Sequence, residues 1–304
     1  MLLTGLAIAL TLAQPPAASR AEGPARQTAP QTDETIAVQR GARLVVNNFA
    51  GEVIVRTWEK DALRVVARHQ PRTRVSIRPG SSGVSITSSG SMGPASVDYE
   101  ITAPVWMPLR IEGTYNFVTV EGTQAEILAN TVRGDVIIKG GTGVVTAKSV
   151  EGEVQVQGAR GKVTASSVNE KVSVADTTGD ITAESVNGAI TLTGIDAKIV
   201  DATSVNGTIV YEGKLADGGH YSFGTHNGDI ILGLPEAANA TFTFRTYQGR
   251  INTDFALEGY DPGQRQRGRR VTGTLGNGSA DVNLETFGGS IRLRKGSAAR
   301  PRGR

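Results

Sequence analysis

The chain has 304 residues, a formal net charge of +3 and no cysteine, which excludes a disulfide framework, thiolate metal sites and lipid attachment through a cysteine. Aromatic residues are only 5% and apolar residues 38%, while glycine occupies 38 positions, so many small side chains can line a thin core but cannot build one thick core.

Leu2 to Ala13 is an apolar run of about twelve residues, followed by a Pro/Ala stretch. The run is too short to span a bilayer and reads as an export leader over 1–20, although no Lys or Arg precedes it. Residues 21–33, rich in Pro, Ala, Gln and Thr, read as a disordered linker. The expected location is therefore periplasmic, cell-surface or secreted, with no transmembrane span in the mature chain.

Residues 34–294 read as β throughout, because no stretch shows apolar residues at helical spacing over several turns. An irregular β part, 34–112, contains Thr35 to Val38, Leu44 to Val46, the corner-like Asn48-Phe49-Ala50-Gly51, Val53 to Val55, and strands within Val75 to Ile86 and Val97 to Ile101. Pro104-Val105-Trp106-Met107-Pro108 interrupts the pattern before Leu109-Arg110-Ile111.

Regular coils follow over 113–212. A nine-residue beat runs through Gly134, Gly143, Gly152, Gly161, Glu170 in the glycine slot, Gly179, Gly188, Ala197 and, one residue late, Gly207. Every second beat carries Ser149-Val150-Glu151-Gly152, Ser167-Val168-Asn169-Glu170, Ser185-Val186-Asn187-Gly188 or Ser204-Val205-Asn206-Gly207, so the repeat is about eighteen residues, built of two nine-residue limbs. Such a period marks a solenoid. Two residues after each slot an inward apolar residue is expected: Val136, Val145, Val154, Val163, Val172, Ile181, Ile190, Ile199 and Ile209. A second inward residue is large on one limb (Ile138, Val156, Val174, Leu192, Tyr211) and alanine on the other (Ala147, Ala165, Ala183), which suits two close sheets.

The corners Gly134, Gly152, Ser167, Asn169, Ser185, Asn187, Gly188, Ser204, Asn206 and Gly207 read as structural: glycine and asparagine for positive-φ turns, stacked Ser/Thr for a hydroxyl ladder and stacked Asn for an amide ladder. Val186 is read as interior, so aspartate there should destabilise. An antiparallel meander is the rival, since Asn-Gly is also a hairpin signal. Thr177-Thr178-Gly179 and Ala159-Arg160-Gly161 lack that dipeptide yet keep the inward register, which favours a single-stranded parallel β-solenoid.

Over 213–294 the corners Thr225-His226-Asn227-Gly228, Thr246-Tyr247-Gln248-Gly249 and Thr286-Phe287-Gly288-Gly289 are more widely spaced, with an inserted loop, 255–270, expected to protrude. His226, Tyr247 and Phe287 stand in the valine position and are expected to stack as a cap.

The corner Asn48-Phe49-Ala50-Gly51-Glu52-Val53-Ile54-Val55, Trp58, Pro104 to Pro108 and the serial Ser-Val-Asn-Gly corners together resemble the bacterial putative-adhesin family, a domain of unknown function in exported envelope proteins. The resemblance spans roughly Glu34 to Leu293. It implies a β-solenoid envelope protein with an adhesive role and offers no catalytic residues.

No catalytic, cofactor or metal site is read from the residues. The acids Asp135, Glu151, Glu153, Asp180 and Glu184 are scattered, whereas glycoside hydrolysis needs two carboxylates about 5 to 10 Å apart. His69, His220 and His226 lack metal spacing, and Gly140-Gly141-Thr142-Gly143-Val144-Val145 has valine where a calcium-binding β-roll has aspartate. Arg265, Arg267, Arg269 and Arg270 form one basic cluster, and Arg292, Arg294, Lys295 and the tail 295–304 another, so polyanion contact is a candidate there. The expected partner is an envelope polysaccharide, an anionic lipid surface or a protein; nucleic acid is argued against, since no nucleic-acid fold motif accompanies the arginines. The expected function is that of an exported, non-enzymatic adhesin-like solenoid, with a carbohydrate-active β-helix enzyme as the alternative.

Overall fold

The computed structural model describes residues 32–91, 93–261, 268 and 270–296, so the expected leader, Arg265, Arg267, Arg269 and most of the basic tail lie outside the described residues. Every regular element among them is a strand. The N-terminal part holds β1 (Thr32–Ala37), β2 (Arg43–Trp58), β3 (Ala62–His69), β4 (Thr73–Gly80), β5 (Gly83–Gly90), β6 (Val97–Pro104) and β7 (Leu109–Glu121). The regular coils hold β8 (Ile127–Asn130), β9 (Val136–Lys139), β10 (Thr142–Ser149), β11 (Val154–Gln157), β12 (Arg160–Ser167), β13 (Val172–Ala175), β14 (Ile181–Ser185), β15 (Ile190–Ile195), β16 (Ile199–Ser204) and β17 (Ile209–Gly213). The C-terminal part holds β18 (His220–Thr225), β19 (Ile230–Leu234), β20 (Ala240–Thr246), β21 (Ile251–Thr253), β22 (Arg270–Leu275), β23 (Ala280–Thr286) and β24 (Ile291–Lys295).

Alternating Val, Ile and Thr make each limb a strand with one dry and one wet side. Strands of one limb pair in parallel with those of the next coil: β8, β10, β12, β14, β16 and β18 form one face, and β9, β11, β13, β15, β17 and β19 the other. Val163 lies over Val145 and under Ile181, an offset of one coil. This is the parallel solenoid and not the meander. Ile138, Val156, Val174, Leu192 and Tyr211 fill one side of the core against Ala129, Ala147, Ala165 and Ala183, all essentially inaccessible to solvent. From β18 onward the alanine column is replaced in register by Phe223, Leu284 and Phe244, and the core widens.

Two inward assignments fail. Thr178 pairs with Asp196, but Ile181 pairs with Val200, so one extra residue enters just after Ala197. Val200 takes the inside position and Ile199 is 49% exposed. Val186 is 39% exposed, because the alternation Ala183 in, Glu184 out, Ser185 in carries it outward.

Both ends are closed by antiparallel strands, which blunts edges that could otherwise template aggregation. At one end β3 pairs antiparallel with β6 and β1 with β3, while β4 and β5 form a hairpin. Thr32 and Asp33, expected in the linker, belong to β1; Arg64 hydrogen-bonds Asp33 at 2.7 Å and holds its carboxyl below the ordinary value.

At the other end the spatial order departs from the chain order. β23 lies between β18 and β20, and β24 between β19 and β21. Outside β20 runs the antiparallel β22, and Phe255 and Leu257 are buried beneath it with Tyr260 alongside, so the first part of the expected protruding loop is a plug. An exposed strand edge cannot be left on a dry core, and this crossing supplies the seal.

Val174→Asp is expected to cost about 3 kcal/mol or more, because it buries an unpaired charge, whereas Val186→Asp should leave the urea midpoint nearly unchanged. Equal losses in the two variants would contradict the inward and outward assignment.

Burial pushes the Tyr99 phenol up to about 12 and also raises those of Tyr211 and Tyr221. A phenol with a raised folded pKa favours the native state below its unfolded value and loses that contribution as pH climbs through the folded one. Stability should hold up to about pH 10 and fall between about 10 and 12. Tyrosinate absorbance should then rise together with loss of β circular dichroism; its completion while the fold persists would contradict this.

Candidate binding surface

Each corner is built from four residues with four different tasks. Ser185 points inward, where its hydroxyl donates to the Glu170 carbonyl of the preceding coil at 3.3 Å and accepts the Gly188 N–H at 2.9 Å. Ser149, Ser167 and Ser204 donate in the same way to Gly134, Gly152 and Gly188 at 2.9, 2.8 and 3.2 Å. The expected hydroxyl ladder is therefore a chain of hydroxyl-to-carbonyl bonds, coil to coil. Thr225, Thr246 and Thr286 continue it, each at 2.9 Å to a glycine carbonyl.

At Gly188 the glycine answers to close approach and not to φ, although the slot is not reserved for glycine, since Glu170 occupies it one coil earlier. A Cβ on Gly188 would stand 1.9 Å from the Glu170 carbonyl oxygen. Of the singled-out corners Gly134 has positive φ, at 122°, while Gly152, Gly188 and Gly207 do not, and among the described residues only Asp176 does so without being glycine. The asparagines are thus not turn residues of the expected kind. They form the expected amide ladder: Asn187 donates to Asn169 at 3.0 Å, Asn206 to Asn187 at 2.9 Å and Asn227 to Asn206 at 2.9 Å, all exposed. In the two earlier coils the same slot holds the ion pair of Arg133 and Glu151.

Outside each corner stands one apolar side chain. Val132, Val150, Val186 and Val205 are exposed, with Val168 half-buried between them. His226 and Phe287 continue the row with rings stacked at 4.8 Å and 6°, and Tyr247 follows at 5.2 Å from Phe287. Phe49 and Tyr115, 5.5 Å apart, stand at the opposite end with Arg133 over the Tyr115 ring. The expected aromatic cap is real as a stack but sits on the outer corner. It prolongs a ridge of exposed apolar groups running the length of the coils. An open cleft of about 490 Å³ lies beside the aromatic part, lined among others by Thr203, Gly224, His226, Glu285, Phe287 and Tyr247.

The candidate acids serve neighbouring coils. Asp135 accepts the Glu153 N–H at 2.8 Å, Glu153 pairs with Lys171 at 2.9 Å, and Asp180 and Glu184 are exposed. His69 bonds Thr32 at 3.1 Å, and His220 lies 3.9 Å from Asp281. Of the basic residues, Arg270 is exposed and faces Arg245 across β20 and β22. Arg294 is paired with Glu212, and Lys295 with Glu236 at 2.7 Å, which reduces what that cluster offers a polyanion. What the sequence reading missed is the outward aim of the valines and the cleft at Gly224; the alternation through Ser185 already implied the first.

Ser167→Ala should cost about 1–2 kcal/mol in chemical denaturation, since the Gly152 carbonyl and the Glu170 N–H lose their shared partner. Gly188→Ala should cost more, because its Cβ collides with fixed backbone. A smaller loss for Gly188→Ala than for Ser167→Ala would contradict the close approach.

No curated protein matches the chain. A solved structure of a putative cell adhesion protein from Clostridium sporogenes is similar over 87% of this chain and 99% of that one, at 10% identity and a TM-score of 0.19, a score too low to bear on the fold. A family model described as Toastrack DUF4097 matches residues 108–294, more than half of the chain and all of its regular coils, in line with the resemblance carried by the corners. The chain belongs to the Toastrack DUF4097 family.

Proposed function

We propose that this protein is an exported, non-enzymatic, adhesin-like solenoid that binds a component of the cell envelope along its corner ridge. The observation that carries this reading is the ridge itself: one apolar side chain per coil, exposed at Val132, Val150, Val186 and Val205 and half-buried at Val168, flanked by a ladder of amides whose free hydrogen-bonding capacity points to solvent. A row of solvent-facing apolar groups rimmed by polar ones is the usual mark of a contact surface. The binding reading is preferred to a carbohydrate-active enzyme because Asp135 is engaged by the Glu153 N–H, Glu151 by Arg133 and Glu153 by Lys171, and none of the three lines the cleft beside the aromatic stack.

The test is co-sedimentation of the full chain with isolated envelope material and with purified envelope polysaccharides. Saturable retention is expected to persist in about 1 M salt, since apolar and amide contacts are little screened, and the polysaccharide should keep its chain length. A variant carrying Val150→Ser, Val186→Ser and Val205→Ser should retain its fold and bind less to the envelope material. Shortening of the polysaccharide, or no retention on any envelope fraction, would overturn the reading.

A further inference from the structure

The row of outward residues just before the corner hydroxyls is in register from coil to coil: Asn130, Lys148, Ser166, Glu184, Thr203, Gly224, Glu285 and Arg245. Gly224 alone has no side chain. Nothing in the backbone demands glycine there. Its φ is not in the left-handed region, and a Cβ would meet only the Thr203 Cγ2, at the ordinary contact distance of 3.6 Å. Glycine inside a strand weakens it, so its presence here is unexplained by the fold.

The gap opens in the same coils where the ridge changes from valine to aromatic. Thr203 and Glu285 border it, one coil to either side, with backbones two strand spacings or about 9.6 Å apart. His226, Phe287 and Tyr247 supply the apolar wall. Arg245 lies 5.0 Å from the Tyr247 ring and pairs with Glu285 at 3.4 Å, which holds the carboxylate in place.

We propose that this notch is a binding site for a single pyranose unit of a glycan. The ring's C–H groups would pack on the edges of the stacked aromatic side chains, whose faces are turned to one another, and its hydroxyls would donate to Glu285 and exchange hydrogen bonds with Thr203. A peptide fits less well. Adding a strand requires free backbone groups, and those of β16, β18 and β23 are already paired to neighbours on both sides. The notch is also one coil wide, which suits one ring and not a flat protein contact.

This inference rests on the adhesin-like reading and specifies its ligand. The test is a glycan array followed by calorimetry with the full chain, its Gly224→Gln and Phe287→Ala variants, and Ser173→Ala on the opposite sheet as a control away from both the notch and the ridge. Gly224→Gln fills the notch without touching the core and should keep the wild-type thermal midpoint. Both notch variants are expected to weaken glycan binding at least about tenfold, while Ser173→Ala binds as wild type. Undiminished glycan binding by Gly224→Gln would overturn the site and leave the adhesin reading standing. The same holds if the wild type binds envelope material but no glycan, or only a protein component of it. Failure to bind any envelope fraction would remove both.

Discussion

A backbone stacked in parallel on a copy of itself leaves about 4.8 Å between layers, so every side chain must tolerate its own kind directly above and below. The columns of this protein are the separate solutions to that constraint. Valine and alanine stack without penalty. A hydroxyl would repel its twin, but Ser167 hands its proton to the Gly152 carbonyl one coil back. An amide can donate on one side and accept on the other, as Asn187 does between Asn206 and Asn169. Like charges stack poorly, and several charged columns change sign from one coil to the next, with Lys139 over Glu121, Lys171 over Glu153 and Glu151 over Arg133, while Asp135 next to Glu153 turns its carboxylate to the Glu153 N–H. Each exposed pair contributes little, but a like-signed column would accumulate repulsion along its whole length.

The same constraint places specificity where a column is broken. Inside, the alanine column ends at Phe223 and the core thickens; outside, the valine row gives way to His226, Phe287 and Tyr247, and the row beside it loses its side chain at Gly224. Uniform coils offer a repeated contact of one kind. The irregular coils add a shape that a particular molecule can occupy.

Much of this was legible from the sequence because a solenoid repeats its physics. The nine-residue beat, the alternation and the Ser-Val-Asn-Gly corners carried the fold class, the parallel direction and nearly every inward residue. The failures have identifiable causes. The late Gly207 shows that one residue is added after Ala197 but not on which side of Ile199, because Ile199 and Val200 are equally apolar and only the stacking partner Ile181 decides between them. The corner glycines looked like turn residues because close approach of Gly188 to the Glu170 carbonyl depends on the coil behind it, which local sequence does not show. Val186 reads as interior only until Ser185 is followed inward. The position of β23 between β18 and β20 could not be read at all, since no local feature encodes which layer a late strand joins.

That crossing affects how the molecule is made. A solenoid whose layers follow the chain can grow one coil at a time as it is synthesised, each new strand docking on the last. Here the layer beside β18 and β19 must wait while β20, β21 and β22 emerge, because β23 and β24 come last. They act as a keystone, clamping the terminal coil to the body in one late step. Glu285 and Phe287 arrive with that strand, so the notch beside Gly224 does not exist on an unfinished chain. Completion of the fold and competence of the irregular corner are a single event.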